Sequence, residues 1–558
     1  MPVQKSTWSA LLRRESLGMA WGFAAALLLV PAPLVAQTAS QVGGRNEVFV
    51  GSELESYLRF LQSEGRSELY PWSVRSFSAA EVERLLPRDS AHPWAGRYDL
   101  QPDTTGGFRL ELIRPQAQLI FNSAFPYGAN NGAVWAGRGL TTALHAGVSA
   151  RYGAISLTLA PVVFRAENAS FELAPTGREG RLAYADGGMT DFIDLPQRFG
   201  DEPYLRIDPG QSNLRLDLPV VAAGISTANQ HWGPASEHPI LLGNNAPGFL
   251  HAFLGSSAPL DVWLGRVHGR LVWGRLEQSD YSPVEGAGSQ RFMSGLVGVF
   301  QPRGVSGLEL GAARFFHEPW PEEGIGLDNL LKPIEGFWKG GLRDSGVLPG
   351  EPKTSEDNQL ASVFFRWVFR RSGAEVYGEY GREDHSWNRR DFLVEPDHSG
   401  GYMLGLRKRW RRSEQELVTV RGELLNLQIS HIVQVRQQGP FYVHGWTRQG
   451  HTHRGQILGS AAGYGGAGSI LAADYYYPRG RWSVAWTRTV RQDRERPSGV
   501  GDIDRRGLDV LHSLGIESLF FLGRFDITAG LTGVYNFNRN FGSDAFNLNS
   551  VLSVRGGI

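Results

Sequence analysis

The densest group of side chains able to do chemistry runs Glu383-Asp384-His385-Ser386-Trp387-Asn388-Arg389-Arg390-Asp391, followed by Glu395 and Asp397-His398. Carboxylates beside an imidazole suit general acid–base hydrolysis, and the acids alone suit calcium. The same residues also make a solvated ion-pair network on an outer loop. In that setting Asp384, Trp387, Arg389 and Arg390 suit contact with a charged glycan. His431, His444, His451 and His453 share one long stretch, but their spacing matches no common zinc motif, so no metal is expected. The chain has no cysteine, which removes thiolate ligands, thiol nucleophiles and disulfides. No glycine loop or Gly-x-Ser-x-Gly elbow sits between a strand and a helix, and no cofactor is expected. Fifty-six basic and 56 acidic residues leave zero formal charge, which argues against a nucleic-acid partner.

A second constellation lies at Asn229-Gln230-His231-Trp232-Gly233-Pro234 and at Asn244-Asn245. An indole stacks on the apolar face of a pyranose while amides bond its hydroxyls, which would make this a sugar site. The same residues also suit a plug folded into a lumen. Gly allows close backbone approach, Pro fixes φ, Trp fills a gap, and the amides close loop hydrogen bonds. The two readings are compatible.

Three kinds of segment must position these residues. The first carries Arg13 and Arg14, then an apolar run from Leu17 to Val35 broken by Gly22, Pro31 and Pro33, with small-residue exits at Ala36 and Ala39. That order predicts a signal peptide over 1–36, cleaved near 36–39. The second, 40–105, predicts a small helical module on the periplasmic side. Ser52 and Glu55 form a capping box ahead of the stripe Leu54, Tyr57, Leu58 and Leu61, and Gly65 stops the helix. A second box, Ser78 with Glu81, opens a short helix with Val82, Leu85 and Leu86 inward, closed by Pro87.

From Phe108 onward the period becomes two. Phe108, Leu110 and Leu112 alternate with Arg109, Glu111 and Ile113, and Ile155, Leu157 and Leu159 follow a tight turn at 151–154. Further hairpins turn at Pro302-Arg303-Gly304, Ser372-Gly373, Ser413-Glu414, Pro478-Arg479-Gly480 and Gly523-Arg524. Long polar stretches separate them at 166–212, 227–248, 317–358, 385–400, 428–468, 493–507 and 536–545. Alternation persists through Leu548 and Val554, making the closing strand. Short turns alternating with long loops predict an all-β transmembrane barrel over 106–558, with about 18 antiparallel strands, integral to the bacterial outer membrane.

Residues 218–249 also carry a resemblance. Gly224 ends a strand, a polar stretch leads into Trp232-Gly233-Pro234, and the apolar run Ile240-Leu241-Leu242 leads into Asn244-Asn245-Ala246. In this the chain resembles the capsule assembly protein Wzi family, departing at His231, where a second Trp is expected, and at Gly243, where Ser is common. The resemblance implies an 18-stranded barrel with an N-terminal helical bundle, acting without catalysis as a lectin-like anchor for capsular or other exported polysaccharide. Lipopolysaccharide and other outer-membrane lipids, and the barrel insertion machinery, would be the remaining partners. Two alternatives stay open: a porin or carbohydrate channel, and an outer-membrane enzyme acting on lipid or glycan.

Overall fold

The computed structural model describes residues 42–43, 47–87, 91–99, 107–334, 357–383, 389–430, 439–491 and 508–556. The expected signal peptide lies outside the described residues, as do Asp384 and Trp387 of the polar cluster. Eighteen strands, from Arg109–Asn122 to Ala545–Arg555, hydrogen-bond in antiparallel order and close into a barrel. The last strand pairs with the first, Leu552 lying opposite Leu119. Some spans are interrupted: Ile155–Leu159 continues as Val162–Ala166, and Tyr204–Asp208 as Asn213–Asp217.

Alternation sorts the side chains between two solvents. Leu110, Leu112, Ile155 and Leu157 are exposed on the outer wall, while Glu375, Tyr377 and Glu379 of strand Ala374–Glu383 are buried on the lumen side. No helix among the described residues is long and apolar enough to cross a membrane. The expected polar stretch 166–212 contains a strand, Tyr204–Asp208. Its lumenal polar groups form an ion pair, Arg206 to Asp208 at 2.8 Å, while Leu205 and Ile207 face outward.

Helix α1 (Glu53–Glu64) and helix α2 (Ala79–Leu85) sit inside the barrel at the end where the short turns gather. Ser52 caps α1 by accepting from the Glu55 N–H, and Gly65 ends it in the left-handed region at φ +79°. The Glu55 carboxylate reaches back to the Gly51 N–H (2.7 Å) rather than to Ser52. The Ser78–Glu81 box on α2 closes in both directions. Tyr57, Leu58 and Leu61 are buried as the stripe predicts, but so are Glu55, Arg59, Gln62 and Glu64. A helix inside a polar lumen has no solvent face, so its charges need wall partners. Arg59 Nε meets Glu375 at 3.0 Å, Arg411 Nε meets Glu64 at 2.9 Å, and Arg481 meets Glu53 at 3.1 Å. Aromatic packing adds to these: Tyr57 stacks on Trp94 at 4.2 Å, and Phe60 on Tyr476 of the barrel wall at 4.6 Å.

Candidate functional site

The loop between strands Val221–Ser226 and His251–Ser256 folds down the lumen instead of standing above the barrel. Its tip reaches the helical module, where His231–Trp232 pairs antiparallel with Val74–Arg75. The Gly233 N–H donates to Ser73 O (2.9 Å), and Arg75 donates to the carbonyls of Gly233 (3.2 Å) and Ala235 (2.7 Å). Gly233 stands at φ +92°, and a β-carbon there would lie 2.6 Å from the Glu379 carboxylate, so both conformation and space call for glycine.

The Trp232 indole is fully buried, at 0% exposure. It lies against bare wall at Gly295, whose absent side chain makes its room, and meets Phe315 edge-on at 6.3 Å. Ile240, Leu241 and Leu242 join the same core. His231 is also buried, and burial, reinforced by the charges of Arg75 and Arg59, holds its imidazole well below the usual pKa. Asn229 stitches the two arms of the loop by donating to Ala246 O at 2.8 Å. Gln230 accepts from Arg270 at 2.7 Å, and Pro234 is buried beside them.

Asn244 donates to Asn130 O (2.7 Å) and Asn245 to Ile457 O (3.0 Å), both half-buried. The structure thus gathers Asn229 to Pro234 in the lumen with Asn244, which lines the deep cavity beside Gly51, while Asn245 lines the outer one. Of the polar cluster that begins at Glu383, Glu383 itself faces the lumen and accepts from the Tyr442 N–H. Arg390 is exposed on a short helix, Arg389–Val394, and the described part of that loop pairs His398 with Glu395 at 3.6 Å.

Carboxylates of the barrel wall hold the plug, the module and the second inward loop, and of these the sequence reading singles out only Glu383. Glu423 accepts from three successive backbone N–H groups, those of Ser236 (2.7 Å), Glu237 (2.9 Å) and His238 (3.1 Å), and from the Tyr377 hydroxyl (2.7 Å). Glu309 accepts from Trp72 N–H (2.8 Å) and Ser73 N–H (2.9 Å), and Glu383 from Tyr442 N–H (2.6 Å). Their sequence signal is period-two acid, as in Glu375, Glu379 and Glu383 of one strand, unusual on a face that must be buried.

The described part of a second loop, 439–466, also folds inward. His451 Nε2 lies 2.6 Å from Leu241 O, Tyr442 donates to Ile240 O at 2.6 Å, and Gly243 N–H donates to Leu458 O at 2.9 Å. Burial draws the His451 pKa down to about 4, despite its backbone partner. His451 and Tyr442 pin the plug.

Cavities border the plug among the described residues. The deep one, of about 470 Å³, lies between plug and wall and is lined by Glu53, Arg421, Asp474, Arg481 and Glu517. The outer one, of about 350 Å³, sits over the plug where the long loops meet. Partly exposed rings of Tyr127, Trp135, Phe171 and Phe541 line it beside Asn245 and Gln456. Gln456 Oε1 and His238 Nε2 have no hydrogen-bond partner among the described residues. Rings with polar groups beside them can take a sugar's apolar face and its hydroxyls together.

Strands that close on themselves, wet inside and apolar outside, cross an outer membrane without helices. This chain is an integral outer-membrane β-barrel whose lumen is occupied by its own loops and helices. It belongs to the capsule assembly protein Wzi family, whose sequence profile matches residues 126–508. Among solved structures it is similar to Wzi of Escherichia coli, described as an outer membrane protein involved in group 1 capsule assembly and a carbohydrate-binding β-barrel. That likeness has a TM-score of 0.59 at 13% identity, over 92% of this chain and 100% of the other, and is one of fold. OccK5 of Pseudomonas aeruginosa is similar at a TM-score of 0.38 and 10% identity, over 81% and 99% of the two chains. Comparison of the sequence with curated proteins finds no match.

Proposed function

We propose that this protein holds exported polysaccharide, capsular in kind, at the outer-membrane surface as a lectin-like anchor without catalysis. The observation that carries this reading is the outer cavity, with its four partly exposed rings beside Asn245 and Gln456. The name of the family and the description of the Escherichia coli protein support it. In this reading the short turns and helical module face the periplasm, and the long loops face outward among lipopolysaccharide, after insertion by the barrel machinery.

Asn229 to Pro234 serve as the lumen plug, and the sugar contacts pass to the cavity, with Asn245 at its edge. Arg389 and Arg390, with Asp384 and Trp387, would supply secondary contacts on the outer loop. Against a channel stands the plug, hydrogen-bonded to the module. Against hydrolysis stands the Ser–His contact at the cavity: Ser460 Oγ lies 3.2 Å from His238 Nδ1, but its hydroxyl residue is fully buried.

The test is the distribution of polysaccharide between cells and medium in a deletion strain complemented with wild type, Trp135→Ala or Gln456→Ala. Polymer should shed in the deletion strain, return with wild type, and return only in part with either variant at equal barrel level. Full retention in the deletion strain would remove the anchor reading.

A further inference from the structure

The loop after strand Leu308–Pro319 departs from the two lumenal loops, because its described part, 320–334, folds down the outside of the barrel. The side chains it touches belong to the outward-facing set. In the barrel register Trp273 lies opposite Ser294, Ser294 opposite Phe316, and Phe316 opposite Gln359, whereas Met293, Phe315 and Leu360 of the alternate set join the lumenal core. Trp273 Nε1 donates to Leu330 O at 2.9 Å, and Arg314 donates to Pro333 O at 3.1 Å and to Gln359 Oε1 at 2.8 Å. Asn329 donates to Glu318 at 2.9 Å, Lys332 pairs with Glu318, and Trp320 packs edge-on against Phe292 at 6.0 Å.

Arg314 and Glu318 would be misplaced on a bare membrane-facing wall. The strand that carries them has 12 residues, which at about 3.3 Å each and a tilt of roughly 40° span roughly 30 Å. That is little more than the apolar band of an outer membrane, about 25 Å. Arg314, five residues before the strand's outer end, therefore lies on the order of 10 Å below it, inside that band. The folded loop covers it: Arg314, Phe316, Phe292 and Ser294 are all buried on what would otherwise be lipid-facing wall.

The covering segment turns apolar groups outward in their place. Ile325, Leu327, Leu331 and Ile334 are 45%, 74%, 51% and 61% exposed. Leu327 and Leu331 stand one turn apart on the short helix Leu327–Leu331, with exposed Asp328 about 100° round it. They continue the apolar wall formed by Leu310, Val363 and Trp367, which is exposed on the neighbouring surface.

We propose that residues 320–334 form a membrane-embedded strap, binding the acyl chains of the outer leaflet through Ile325, Leu327, Leu331 and Ile334 while sealing the charged patch of Arg314 and Glu318 from them. The strap exchanges a polar stretch of wall for an apolar one, and its occupant is the lipid that already meets the wall on either side.

The absence of cysteine makes the test direct. Leu327→Cys and Leu331→Cys, each spin-labelled in phosphatidylethanolamine–phosphatidylglycerol vesicles, are compared with Leu310→Cys on the wall and Glu414→Cys in a short turn. Collisions with oxygen should match those at Leu310, and collisions with a water-soluble nickel chelate should fall severalfold below those at Glu414. Chelate access equal to that at Glu414 would place the strap in water and overturn the proposal. Dipolar coupling between labels on two copies would overturn it in favour of a protein contact. All four sites are exposed, so labelling removes no buried contact.

Discussion

Replacing Glu423 by Ala should loosen the plug while leaving the barrel closed. This carboxylate gathers three backbone N–H groups and the Tyr377 hydroxyl at 2.7 to 3.1 Å, while Arg407 and Arg421 hold only the side chains of Ser236 and Glu237 in the same turn. Each buried donor left without an acceptor costs about 1–3 kcal/mol. The turn borders both cavities, so water can return part of that loss. A net loss of about 3 kcal/mol corresponds to roughly a hundredfold increase in local opening. Hydrogen exchange reads this directly: peptides covering 230–246 should lose about two decades of protection, while strand peptides keep theirs. Glu423→Gln retains one acceptor oxygen and should lose roughly one decade. Unchanged protection in both variants would refute the claim that wall carboxylates hold the plug. Equal loss across the strands would show that Glu423 stabilises the barrel as a whole.

Gly295→Val should push its new β-carbon into Trp232, whose Cη2 lies 2.5 Å from that position, at a cost of roughly 1–3 kcal/mol in plug stability. Trp232→Ala should cost roughly 3–5 kcal/mol by leaving a cavity, and the double variant should cost less than the sum, read by the same exchange measurement. Burial alone would raise the pKa of Glu81, but the hydrogen bond from His268 and the charges of Arg215 and Arg270 hold it down to about 2. Because that value lies below the ordinary 4.5, its contribution to docking is complete above pH 4.5 and is lost as pH falls through about 2. Exchange in peptides 78–87 should rise over that window in the wild type, and Glu81→Gln should be weaker at neutral pH and flat across it.

The barrel is legible in the sequence because its cause is local. Each strand meets lipid on one side and water or polar loops on the other, so Phe108, Leu110 and Leu112 must alternate with Arg109, Glu111 and Ile113. The helices announce themselves through Ser52 and Ser78 for the same reason. The destinations of the long loops are not local. Trp232 has its place because Gly295, on another strand, lacks a side chain, and nothing near Trp232 says so. The strand Tyr204–Asp208 hides because its polar face pairs within the lumen, which makes it read as loop. Leu327, Leu331 and Ile334 are lost in a polar stretch for the opposite reason: their partners are wall residues that look misplaced until the strap covers them. Inward acids such as Glu375 and Glu383 are visible as a pattern, but become interpretable only when their partners are seen, Arg59 and Arg366 for the first and the Tyr442 N–H for the second.

The same physical problem recurs at three places on this barrel. Polar groups of the wall, out of bulk water, must find partners, and the chain supplies its own. At the short-turn end, α1 and its charges answer Glu375, Arg411 and Arg481. Midway, N–H groups of the plug answer Glu423, and those of Trp72 and Ser73 in the module answer Glu309. On the outside, the strap's carbonyls and amides answer Arg314 and Glu318. Each solution removes a passage or a charged patch, and each uses a segment that in an open channel would stand free. What this leaves exposed at the top is the cavity above the plug, where partly exposed rings stand over a closed floor. A floor pinned by Tyr442, His451 and Glu423 suits holding a polymer at the surface better than passing one through, since any transport would first have to break the contacts that fix the cavity's shape.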